Sequence, residues 1–164
     1  MIILEGCDAS GKTTLLNHLA ERFKLAIVRS RGKPQTDIDI VRYNAWASSC
    51  PQPLILDRHP AISDLVYGPI IRGHSPAKPQ YAQFVANTNF LVFCQPPLEV
   101  VKANIHNEVQ MEGVAEKLDR LYLGYVALME TLSPRFIYDY TNRNHLSQLE
   151  EQVHDYLAAT SRDL

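Results

Sequence analysis

With 164 residues, a net charge of −2, 46% hydrophobic and 21% charged residues, the chain has the composition of one ordinary globular domain, long enough to bury about two-thirds of its unfolded surface. That balance suggests neither a disordered chain nor a membrane span, and it gives no electrostatic support to a general nucleic-acid binder. Three cysteines, Cys7, Cys50 and Cys94, are far apart and odd in number, which suits reduced thiols better than a disulfide framework.

The apolar run Ile2-Ile3-Leu4 leads straight into Gly6-Cys7-Asp8-Ala9-Ser10-Gly11-Lys12-Thr13. This octet fits G-x-x-x-x-G-K-[ST], the pattern of a loop whose backbone amides cradle phosphate. A strand over 1–5 enters it. A helix over 14–23 leaves it, with Leu15, Leu16, Leu19, Ala20 and Phe23 on one stripe. Gly6, Ala9, Ser10, Gly11, Lys12, Thr13 and Thr14 are therefore the expected ATP-binding set, with Lys12 reaching the β/γ-phosphates and the Thr13 hydroxyl ligating Mg²⁺. Cys7 reads as a small filler of that loop. The first strand begins at Met1 with no signal peptide ahead of it, so cytoplasm is the expected compartment. None of the six histidines has zinc-like spacing.

A second strand over 25–28 ends in the basic cluster Arg29, Arg31 and Lys33, where Arg31 is the candidate grip on an acceptor phosphate. The spacing of Ile38, Val41, Ala45 and Ser49 predicts a helix over 36–49, capped by Thr36 or Asp37. Arg42, Tyr43 and Trp46 on its flank are candidates for holding a flat heterocycle, against the alternative that these aromatics are core. A third strand over 54–57 delivers Asp57 and, next to it, Arg58 to the cleft expected at strand carboxyl ends. There Asp57 suits the Mg²⁺ shell or the acceptor hydroxyl, and Arg58 suits developing phosphate charge.

Prolines and glycines leave room only for a short helix over 61–67, with Arg72 and His74 free on the following loop. Helix 79–87, strand 90–94 and helix 98–106 follow. The polar stretch 107–116 is a candidate lid without arginine, before helix 117–132, strand 136–140 and helix 146–159. This alternation predicts one α/β domain over 1–164, a five-stranded parallel sheet with helices on both faces.

Three pieces together resemble the thymidylate kinase and deoxynucleoside kinase branch of the phosphate-loop kinases. They are the loop with Asp8 two places after its first glycine; Leu56-Asp57-Arg58-His59 followed by Ser63 and Tyr67; and Phe90-Leu91-Val92-Phe93 with Pro96-Pro97-Leu98-Glu99-Val100. The resemblance covers most of the chain and implies a nucleoside-monophosphate-kinase-like fold in a compact, phage-like form, placed in the host cytoplasm if viral. It also implies contact of Asp8 with the sugar 3′-hydroxyl, Asp57 near Mg²⁺ or the acceptor, Arg58 on the phosphates, and Arg31 at the acceptor phosphate. Arginines are common in the lid of such kinases; here Lys102, Lys117 or Arg120, or else Lys12 with Arg58, would carry that charge. The expected activity is Mg²⁺- and ATP-dependent phosphorylation of a deoxynucleoside monophosphate with a pyrimidine base, such as dTMP or a modified analogue. A deoxynucleoside kinase, a kinase acting on a hydroxyl in DNA and a nucleotide-binding switch remain alternatives. A homodimer is possible through exposed apolar helices.

Overall fold

The computed structural model describes residues 1–29, 32–107 and 112–160. Within them, β1 (Ile2–Glu5), β2 (Ala26–Arg29), β3 (Leu54–Asp57), β4 (Phe90–Cys94) and β5 (Phe136–Tyr138) form a single sheet in the order β2-β3-β1-β4-β5. Every neighbouring pair is parallel. Seven α-helices connect or follow these strands: α1 (Lys12–Phe23), α2 (Asp37–Ser49), α3 (Pro60–Tyr67), α4 (Pro79–Thr88), α5 (Leu98–Asn104), α6 (Leu118–Leu132) and α7 (His145–Thr160).

Side chains alternate across a strand, so a sheet covered on both faces divides its apolar residues between two cores. One core takes Ile3, Leu54, Leu56, Leu91 and Phe93 against α2, α3, α4 and α6. The opposite core takes Ile2, Leu4, Ile55, Phe90 and Val92 against Leu15, Leu16 and Leu19 of α1 and Leu149 and Val153 of α7. From β1 the chain departs toward β2, whereas from β3 it departs toward β4 on the far side of β1. Connections thus leave these two adjacent strands in opposite directions, which opens a crevice at their carboxyl ends.

The expected α/β sheet is present, with three local corrections. In α2 the stripe Ile38, Val41, Ala45 faces outward, with Ile38 57% exposed, while Ile40 and Ala47 are buried and Tyr43 packs against the core. The helix carries apolar residues on two stripes, so periodicity alone is degenerate there. Its start agrees with the pattern: Thr36 accepts from the Asp39 amide while the Asp39 carboxylate accepts from the Thr36 amide. A wide π-helical turn, Gly68–Arg72, extends α3 where the sequence reads as loop. Strand β5 stops at Tyr138, which frees Tyr140 to lie against Gly11.

Of the candidate lid, residues 108–111 lie outside the described residues, as does Arg31. Next to that segment, Val114 is buried and the Lys117 Nζ donates to the Ile70 carbonyl at 3.0 Å. No helix among the described residues is long and apolar enough to cross a membrane.

Candidate active site

Strand β1 ends in Glu5, a carboxylate with no exposed surface. The chain then turns at Gly6 with φ +143°, where an added Cβ would stand 2.6 Å from the Cys94 carbonyl oxygen. Only glycine fits that combination of conformation and approach. Gly11 closes the loop at φ +82° and starts α1 without a side-chain cap. The first amides of the helix are thereby left to an external acceptor, and an uncapped helix start with its dipole favours an anion.

Lys12 is buried, and its Nζ donates to the Cys7 carbonyl and, at 3.3 Å, to Ser10 Oγ. Burial and the like charge of Arg58 hold its pKa below the ordinary lysine value. Thr13 and Thr14 are exposed on the first turn of α1. Cys7 is buried inside the loop, and burial pushes its thiol up to about 11. It packs as a small side chain inside the loop, where desolvation outweighs the neighbouring cations.

Across the crevice, Asp57 ends β3 in register with Leu4 of β1 and Arg29 of β2. The next residue, Arg58, has φ +64°, a left-handed conformation that costs a non-glycine residue about 1–3 kcal/mol. Its backbone amide donates to the Leu4 carbonyl at 3.0 Å, and the His59 amide donates to Glu5 Oε1 at 2.6 Å. These two bonds fasten the turn to the end of β1.

The Arg58 guanidinium lies against the phosphate loop. Its Nη2 donates to the Gly6 carbonyl at 3.2 Å, to Asp8 Oδ1 at 3.1 Å and to the Tyr67 hydroxyl at 2.8 Å. The Tyr67 hydroxyl in turn donates to Asp8 Oδ2. Burial alone would raise the Asp8 carboxyl, but the charges of Arg58 and Lys12 and the Tyr67 hydroxyl outweigh it and hold the pKa below the ordinary value. Asp8 is thus a carboxylate at neutral pH.

Oxygen donors suit Mg²⁺. Asp57, half-buried, and the exposed Thr13 hydroxyl make no side-chain hydrogen bond or ion pair among the described residues. As hard, uncommitted oxygens they fit the ion.

The remaining candidates divide. Tyr43 packs edge-on against the buried His59 ring at 5.1 Å, and Trp46 meets Tyr43 at 5.7 Å with 37% of its surface exposed. Arg42 is exposed on α2. Arg72 is bound to Asp64, which also accepts from Ser75 Oγ at 2.6 Å. That carboxylate stitches the π-helical turn to the loop beyond it.

Several contributors carry no role in the sequence reading. Tyr67 falls inside the quoted motif without an assigned function. Glu5 has a visible signal, a charge closing an apolar strand directly before Gly6. Tyr125, whose hydroxyl donates to Glu5 Oε2 at 3.0 Å, looks like one more apolar position of α6. Tyr140 and Asn104 meet through a 2.9 Å bond from Asn104 Nδ2 to the Tyr140 hydroxyl. They wall a cavity of about 410 Å³ beside the phosphate loop, lined also by Ala9, Thr14, His18 and Leu146.

A glycine-bounded loop after β1 and a five-stranded parallel sheet in the order β2-β3-β1-β4-β5, covered by helices on both faces, make up a fold that the chain shares with solved structures of P-loop kinases. No family model and no curated protein matches the chain. Among solved structures it is similar to the YorR protein of Bacillus subtilis in complex with phosphorylated GDP, with a TM-score of 0.75 at 18% identity over 98% of this chain and 97% of that one. It is similar to deoxyadenosine kinase from M. mycoides with bound dATP, at 0.64 and 12% over 96% and 98%. Shikimate kinase from Acinetobacter baumannii in complex with shikimate gives 0.54 and 16% over 97% and 93%.

Proposed function

We propose that this chain is a Mg²⁺- and ATP-dependent kinase that transfers the γ-phosphoryl group to a deoxynucleoside monophosphate with a pyrimidine base, such as dTMP or a modified analogue. The observation that carries the reading is the junction of two sites across β1 and β3. The phosphate loop stands on one strand end, and Arg58, bonded to that loop and to Asp8, stands on the next. Little covalent chemistry is asked of a phosphoryl-transfer protein, which acts mainly by positioning and charge stabilisation.

Each residue then has a part. The loop amides from Gly6 to Thr14 and the Lys12 ammonium hold the donor phosphates, with Lys12 exchanging the Cys7 carbonyl for a phosphate oxygen. The cavity beside Tyr140 and Asn104 takes the donor base. Thr13 and Asp57 would hold Mg²⁺, which would supply charge neutralisation at the phosphate oxygens. Arg58 stabilises charge on the transferred group, and Asp8, flanked by Tyr67, accepts a hydrogen bond from the acceptor sugar. Arg31, beyond β2, is the proposed contact of the acceptor phosphate, with Arg42, Tyr43, Trp46 and Arg72 as the remaining acceptor-side candidates.

A deoxynucleoside kinase is the second reading. The uncommitted Asp57 carboxylate favours it, since a hydroxyl acceptor needs a base whereas a phosphate dianion does not, and so does the likeness to deoxyadenosine kinase. The deciding experiment offers ATP and Mg²⁺ with every deoxynucleoside and deoxynucleoside monophosphate and follows ADP release. Fastest turnover with a pyrimidine monophosphate is expected. Turnover of nucleosides alone would replace the first reading by the second, and nucleotide binding without transfer to any acceptor would remove both.

A further inference from the structure

The buried carboxylate of Glu5 is absorbed by none of the roles above. It stands at the meeting point of three elements. Through Oε1 it accepts from the His59 amide at 2.6 Å, and through Oε2 from the Tyr125 hydroxyl at 3.0 Å, with no exposed surface on Glu5, His59 or Tyr125. Its own backbone is the last of β1, directly ahead of Gly6. The His59 amide it holds follows Arg58, whose left-handed backbone must be maintained by its surroundings.

Tyr125 reaches the same arginine by a second route. Its ring packs edge-on against Tyr67 with centroids 6.0 Å apart, and the Tyr67 hydroxyl accepts from Arg58 Nη2 at 2.8 Å. One side chain of α6 therefore touches both supports of Arg58, the Glu5 clamp on its backbone and the tyrosine that receives its guanidinium. Lys117, just before α6, is bonded to the Ile70 carbonyl in the π-helical turn after α3.

We infer that Glu5 and Tyr125 are positioning residues for Arg58, forming a buried hydrogen-bonded link that fixes the guanidinium at the proposed transfer centre and ties it to α6. The clamp holds the turn and the ring contact holds Tyr67, so loss of either lets Arg58 leave the phosphate loop. Because these groups act through Arg58, the inference rests on the proposed kinase reading for its kinetic consequence and on geometry alone for its structural one.

The test uses Tyr125→Phe, which removes one hydroxyl and keeps the ring, and Glu5→Gln, which keeps a polar group at both contacts and removes the titratable carboxyl. Two readouts are needed. The Arg58 Nε–H resonance, assigned by its loss in Arg58→Lys, reports the guanidinium without any turnover; in Tyr125→Phe it should broaden and exchange at least tenfold faster with solvent. In turnover, Tyr125→Phe should lower kcat about tenfold with the KM for ATP nearly unchanged, and in an Arg58→Ala background it should lower kcat no further. Glu5→Gln should fall between wild type and Tyr125→Phe in both readouts. An unchanged Arg58 resonance in Tyr125→Phe overturns the inference, as does a kcat loss of equal size with and without Arg58, the mark of a general packing defect. If wild type phosphorylates no acceptor, the kinase reading falls and the resonance still decides the link.

Discussion

Lys12 shows what it costs the fold to carry a charge proposed to hold the donor phosphates. A buried ammonium loses hydration, and its depressed pKa reports that loss, with burial first and Arg58 second. Lys12→Met keeps the aliphatic packing and removes the charge, so it is expected to fold with an unchanged or raised melting temperature. Phosphoryl transfer, by contrast, should drop on the order of 10²–10³-fold, the size usual for removing one charge-stabilising donor. Parallel thermal melts and initial rates check it; equal losses in both would mean that Lys12 serves the fold. Glu5 and His59 give a second residue-scale prediction, because burial shifts them in opposite senses. The Glu5 carboxyl is pushed up to about 7, so the folded chain keeps a proton that the unfolded chain releases, and this contribution is full below pH 4.5 and lost as pH rises through 7. The His59 ring is pushed down to about 4, so its contribution is full above pH 6.5 and lost as pH falls toward 4. Between those limits the two slopes oppose each other. Glu5→Gln leaves only the histidine, and its stability should rise with pH by up to about 1.4 kcal/mol per unit more steeply than that of wild type between pH 4.5 and 6. Urea midpoints across that window measure it; parallel curves for the two proteins would refute it.

Elements were legible where one physical signal dominated. The loop over 6–13 is legible because its pattern calls for glycine at Gly6 and Gly11, where the backbone has φ of +143° and +82°. The buried strands β3 and β4 announced themselves as unbroken apolar runs between turn residues. What stayed hidden depended on contacts between elements: which stripe of α2 faces inward, the turn carried by Asp64, Arg72 and Ser75, and the support of Arg58 by a tyrosine 67 positions away. No local pattern encodes those. The loop makes a test of its own geometry possible. Gly6→Ala should cost about 2–3 kcal/mol, from strain at a positive φ and collision with the Cys94 carbonyl, and lower the melting temperature by roughly 4–12 °C in a chain of this size. Gly11→Ala carries the same strain at a positive φ and also meets the Tyr140 ring at 2.7 Å, so it should weaken ATP binding by displacing that ring from the cavity wall. Isothermal titration of Gly11→Ala, alone and with Tyr140→Ala, separates the two effects. A clash relieved by the second substitution should make the pair much less than additive.

At the scale of the molecule, the sheet separates two cores that meet the site from opposite faces. The α1 and α7 core carries Leu15, and with Tyr138 and Leu146 it borders the cavity proposed for the donor base. The larger core carries Tyr67 and Tyr125 beneath the Arg58 cluster proposed for the acceptor side. A ligand that binds the native state alone stabilises it by about 2.7 kcal/mol at a hundred times its dissociation constant, and the gain should appear first in the elements it touches. A non-hydrolysable ATP analogue with Mg²⁺ is therefore expected to slow amide exchange mainly in residues 6–15 and 138–146. Adding the acceptor should extend that protection to residues 57–72 and, through the Glu5 and Tyr125 bonds, to the middle of α6. Tyr125→Phe should keep the first two effects and lose the protection of α6, since the ring remains but the bond to the end of β1 does not. Exchange measured segment by segment distinguishes this from a uniform tightening. Uniform protection on adding ATP alone would mean that the two cores respond as one body and that the donor and acceptor halves are not separately addressed by the fold.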